Sequence, residues 1–147
     1  FQITLPEIGT IRAERPPIVI VTSNRTREIH DALKRRCIYH WVDYPDAERE
    51  VEIVTAKVPD LDDRLARQLT EAMSDLRSLD LFKPPGVAET IDWAAALGRL
   101  GATKLDENLV ANTLGTVLKY REDHQRVEQH GVADIVKQAF ERGLRSS

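Results

Sequence analysis

A change of hydrophobic period at Pro45 constrains this chain more than any other feature, because it separates a strand-like segment from a longer helical one. Before it, Phe1, Ile3 and Leu5 alternate with polar residues, Gly9 can supply a turn, and Ile11 begins a return limb ahead of Arg15-Pro16-Pro17. A β-hairpin is expected there. The run Ile18-Val19-Ile20-Val21 is apolar without alternation, as in a strand covered on both faces. Ile38 to Val42 offers a second such strand, and Ile29, Ala32 and Leu33 are spaced for one face of a short crossover helix between them.

After Pro45 the apolar residues recur at helical spacing. Asp46 can start a helix carrying Ala47, Val51, Val54 and Val58, and Leu65, Leu69, Ala72, Leu76 and Leu79 continue the pattern beyond Pro59-Asp60. Phe82-Lys83-Pro84-Pro85-Gly86 must break helix, since proline lacks the N–H and fixes its torsion. Val87, Ile91, Ala94 and Leu97 form the next face, ending near Gly98 to Gly101. Asp106 then caps a helix with Leu109, Thr113 and Val117, and a last helix carries Val132, Ile135, Ala139 and Phe140. The expected class is α+β, mainly α, with a hairpin and short strands over 1–44 and a helical bundle over 45–147.

Composition excludes several functions. With 147 residues, 41% hydrophobic and 31% charged, the chain can bury one moderate core or two small ones, and no apolar run is long enough to span a bilayer. A net charge of -3 gives no broad basic surface for nucleic acid. Cys37 is the only cysteine, which rules out an internal disulfide and fits a cytoplasmic setting. The four histidines show no ligand-like spacing, so no metal is expected. Cys37 reads as a small apolar residue beside a strand, and Trp41 and Trp93 as core or interdomain packing. Phe1 already lies in a strand-like stretch, which leads us to expect an upstream portion of a larger protein.

The polar stretch after the apolar run is the most suggestive. Thr22-Ser23-Asn24 follows Val21, and Arg35-Arg36 ends the short helical segment a dozen residues later. In open α/β sheets ligands bind beyond the carboxyl ends of strands, where Asn24 falls. A helix of about eight residues advances about 12 Å, so the arginines emerge elsewhere.

VIVTSNRTREIHDALKRRC, followed by YHWVDYPDAEREVEIV, resembles a segment of the MoxR-type AAA+ ATPases, in the branch associated with carbon monoxide dehydrogenase maturation. The resemblance is most specific over residues 18–54. It implies that Asn24 is the first-sensor residue orienting the attacking water, that Arg36 is the arginine finger with Arg35 its neighbour, that 1–44 is the end of the nucleotide-binding α/β core, and that 45–147 is the helical lid. Where the family carries a second-sensor arginine shortly after a glycine, this chain has Gly86 and, in that register, Thr90. No GxxxxGK[ST] phosphate loop occurs in the sequence, so ATP and Mg²⁺ are expected for an intact parent and no cofactor for this piece alone. The implied partners are a homo-oligomeric ring, a von Willebrand A-type domain protein and a metalloenzyme client. A stand-alone helical interaction or regulatory module without ATPase activity is the competing reading.

Overall fold

The structure is a computed structural model that describes residues 2–23 and 29–145. Among these the chain is mainly helical with one small antiparallel hairpin. It divides into two compact units, residues 1–42 and 43–147.

In the first unit β1 (Gln2–Leu5) pairs with β2 (Gly9–Arg12), placing Ile3 opposite Ile11 and Thr4 opposite Thr10. Pro6 presets the torsion of a turn closed by Ile8 N–H on the Leu5 carbonyl at 3.2 Å. Gly9 follows with φ +85°, a backbone state that side chains disfavour. Across the strands the Thr4 and Thr10 hydroxyls meet at 2.9 Å, and Arg12 Nε donates to Gln2 Oε1 at 3.0 Å.

The two expected buried strands do not form. Ile18 is 94% exposed and Ile38 fully so, and both stretches lack strand pairing. A strand buried on both faces needs hydrogen-bonding neighbours and covering helices. The described residues offer only the two-stranded hairpin of β1 and β2, which pair with each other and with no further strand. The crossover helix contracts to one turn, α1 (Asp31–Lys34), started by Ala32 N–H on His30 Nδ1, with Leu33 exposed. Trp41 likewise lies half-exposed with its ring edge-on to Tyr39, rather than in a core.

The second unit holds α2 (Ala47–Lys57), α3 (Asp63–Ser78), α4 (Val87–Arg99), α5 (Glu107–Thr113), α6 (Arg121–His130) and α7 (Val132–Arg145). Aspartates start three of them by accepting orphan N–H groups: Asp46 from Arg49, Asp62 from Arg64 and Leu65, and Asp106 from Leu109. The cap of α3 is thus Asp62, just beyond Pro59-Asp60. A single 3₁₀ turn at Leu114–Thr116 follows α5. Gly131, with φ +100°, turns the chain between α6 and α7.

The core is organised on α3, whose Leu65, Leu69, Met73 and Leu76 are fully buried. It packs most extensively on α7, through Ile135 and Ala139, and on α2 and α4, through Val54, Trp93, Ala94 and Leu97. Each fully buried leucine contributes about 1.5–3 kcal/mol of transfer free energy. Trp93 satisfies its indole N–H on Thr113 Oγ1 at 2.8 Å, which lets the largest core side chain be enclosed without an orphaned donor.

Candidate functional site

Asn24 lies outside the described residues. Arg35 caps the C-terminus of α1, its N–H on the Asp31 carbonyl, and Arg36 N–H closes a 3.0 Å bond to Leu33. Both arginines are exposed, and among the described residues neither guanidinium has a hydrogen-bond or carboxylate partner. Lys34, in the same turn, is held 3.5 Å from Asp31. Residues 29–37 therefore present two uncommitted guanidinium groups beside a lysine already paired.

The other two candidate positions sit in a different environment. Gly86 is the N-cap of α4, and its N–H donates to Glu89 Oε2 at 3.0 Å. Thr90, one turn into α4, is wholly buried. Its hydroxyl donates to Glu50 Oε1 at 2.6 Å and accepts from Arg77 Nη2 at 3.0 Å. Arg77 in turn grips Glu50 with both ends of its fork, Nη1 to Oε2 at 2.6 Å and Nη2 to Oε1 at 2.7 Å, and its Nε donates to the Pro85 carbonyl at 2.8 Å. Its guanidinium carbon lies 4.6 Å from the centroid of the Tyr44 ring.

This cluster joins α2, α3 and α4 through Glu50, Arg77 and Thr90. Glu50 is 1% exposed, so its carboxylate is compensated by the arginine and the hydroxyl rather than by water. Both carboxylate oxygens, the threonine hydroxyl and three guanidinium nitrogens are committed within the cluster. It therefore fixes a three-helix joint and leaves no group free to bind a phosphate or move a proton. The Thr90 hydroxyl, in the second-sensor register, is turned into that joint.

Sequence reasoning missed Glu50 and Arg77, although a signal was present. Glu50 falls on the same helical stripe as Ala47 and Val54, and Thr90 on the stripe of Ala94 and Leu97. A carboxylate in an apolar stripe demands a cation from a neighbouring element, and Arg77 lies one turn beyond Met73 on the buried side of α3.

A second buried carboxylate, Asp123 of α6, has a similar structural duty. It accepts Phe82 N–H at 2.6 Å and Lys83 N–H at 3.2 Å, tying the proline-containing loop to α6. Between α5 and α7 an open groove of about 380 Å³ is lined by Glu107, Ala133, Val136, Lys137, Phe140 and Glu141. Ala133, Val136 and Phe140 supply its apolar floor, and Glu107, Lys137 and Glu141 its charged side chains. Among the described residues no cluster of histidine, cysteine and carboxylate could hold a metal, and no helix is long and apolar enough to cross a membrane.

Comparison of the chain with protein-family models, with curated proteins and with solved structures returned no match.

Proposed function

We propose that this chain is the C-terminal part of a MoxR-type AAA+ ATPase, in which residues 1–44 close the nucleotide-binding core and residues 45–147 form the helical lid. The reading rests on the resemblance over residues 18–54, and the observation that carries it is the exposed pair Arg35-Arg36, without carboxylate partners among the described residues, directly after a one-turn helix. An arginine finger has to remain unpaired within its own subunit so that it can reach charge on the next one. Only one of two adjacent side chains aims at a given phosphate, and on the resemblance we assign Arg36. In the parent, a ring with head-to-tail contacts would present Arg36 to the neighbouring subunit's nucleotide. Asn24 keeps its first-sensor assignment on the resemblance alone.

The residues described here do not form a site for ATP and Mg²⁺. The sequence has no phosphate loop, and Thr90 and Gly86 spend their polar groups inside the helical unit. What this chain contributes is therefore a finger and a lid, with the cradle supplied elsewhere in the parent. ATP-driven remodelling of a client, in the cytoplasm, together with a von Willebrand A-type partner and a metalloenzyme maturation task, follows from the same resemblance.

The self-contained core of residues 43–147 favours a second reading, a helical interaction module with the ancestry and without the activity. Arg36→Ala in the intact parent separates the two. The finger assignment expects nucleotide binding to persist and turnover to fall by on the order of a thousandfold. Mixing that protein with a variant that keeps Arg36 but lacks a working phosphate loop should restore activity, because some interfaces then join an intact pocket to an intact finger. Parental turnover in Arg36→Ala, or no recovery in rings shown to be mixed, would leave the module reading in place.

A further inference from the structure

The Glu50, Arg77 and Thr90 cluster has one open side, and the chain covers it with Tyr44. The fork and Nε of Arg77 point inward, to Glu50, Thr90 and the Pro85 carbonyl. The guanidinium carbon lies over the face of the Tyr44 ring, 4.6 Å from its centroid. The Arg77 side chain is only 10% exposed, whereas Tyr44 is 53% exposed, so the ring acts as a cover seated on a buried cation. Tyr44 belongs to the short stretch Asp43–Asp46, whose last residue is the cap of α2.

We propose that Arg77 and Tyr44 form a latch that fixes the orientation of the segment entering the helical unit, with Arg77 as the positioning residue. Three observations favour this over incidental surface contact. The guanidinium cannot turn away, because its hydrogen bonds to three elements fix its plane. Its charge is largely desolvated, the condition under which an aromatic face interacts with a cation most strongly. Finally, Pro45 limits the torsions next to Tyr44 and Asp46 N-caps α2 on the other side, so docking one ring restrains the whole four-residue entry. The same residue that joins α2, α3 and α4 thereby also holds the four residues that lead into α2. The latch is independent of the ATPase reading and holds for either function proposed above.

Nuclear magnetic resonance on the 147-residue chain tests it, comparing the parent with Tyr44→Phe and Tyr44→Leu. In the parent the backbone at Tyr44 and Asp46 should show rigid order parameters, about 0.85, and the Arg77 Nε–H resonance should carry a ring-current shift from Tyr44. Tyr44→Phe keeps the ring and should keep both signatures. Tyr44→Leu should lose the ring-current shift and lower the order parameters at positions 43 to 45 toward about 0.6, while the thermal midpoint moves by no more than about 2 °C. Unchanged order parameters in Tyr44→Leu would overturn the latch. So would a parent in which positions 43 to 45 are already mobile, or a Tyr44→Phe variant as mobile as Tyr44→Leu.

Discussion

Replacing Glu50 with glutamine is the sharpest probe of the three-helix joint, because it changes charge with almost no change of volume. Glu50 accepts on both oxygens, from Arg77 Nη1 on one and from Arg77 Nη2 and Thr90 on the other. An amide has one accepting end, so in either orientation its NH₂ group faces a guanidinium N–H. The variant thus juxtaposes two donors and leaves the Arg77 charge, 10% exposed, without its counter-ion. Breaking a buried pair from one side costs about 3–5 kcal/mol, a large share of the about 5–15 kcal/mol that holds a domain folded. With a urea slope of about 2 kcal/mol per M, the unfolding midpoint should fall by about 2 M. Circular dichroism in urea measures it. A control separates the leftover charge from the lost contacts: the triple variant Glu50→Leu, Arg77→Met, Thr90→Val carries no buried charge and should recover most of the loss. A Glu50→Gln loss below about 1 kcal/mol, or a triple variant no better than the single one, would refute this reasoning.

Asp123→Ala should cost about 2 kcal/mol, because it leaves the Phe82 and Lys83 N–H groups with no acceptor, and proteolysis should then begin in residues 82–86. Gly131, just before α7, and Gly143, within its last turn, should respond with opposite signs. Gly131→Ala forces a side chain to φ +100° and places a Cβ 3.3 Å from Asp134 Oδ2, a loss of about 1–2 kcal/mol by urea unfolding. Gly143→Ala gains helix propensity, and its Cβ would lie in ordinary contact with Gln68, so it should stabilise by about 0.5–1 kcal/mol.

The parts of the fold that were legible in the sequence are those in which local chemistry and tertiary burial agree. α2, α3, α4 and α7 carry apolar stripes at helical spacing, and Asp46 and Asp106 announce helix starts that the structure contains. The hairpin was readable from alternation and Gly9. By contrast, α6 was invisible, because Arg121–His130 has Val127 as its only apolar residue and so shows no stripe. It is held instead by Val127 and by the Asp123 carboxylate, whose partners lie forty residues away in sequence. The Ile18 to Val21 run failed for a different reason: its composition reports what the segment would prefer between two neighbouring strands, and it pairs with neither β1 nor β2. Of the site, Arg35 and Arg36 were legible as a cationic helix end. The burial of Thr90 was not, since it depends on Glu50 and Arg77 converging from two other helices.

Burial divides the molecule unequally, and the division bears on function. Every buried apolar side chain among the described residues lies between Val54 and Ala139. In residues 2–42, by contrast, Ile18, Val19, Ile20, Val21, Ile38 and Val42 are all more than half exposed. A two-stranded hairpin is marginal by itself in water, so the hydrogen bonds of β1 and β2 cannot compensate for that apolar surface. Six β-branched side chains in two clusters are also more than the scattered exposure ordinary for a soluble surface, and they match what a sheet needs on a face that other polypeptide covers. A helical unit with a finished core is thus joined to an apolar segment without one. The apolar segments call for a covering surface under either proposed function, and Arg36, which follows the first of them by fifteen residues, is the position at which the two proposals separate.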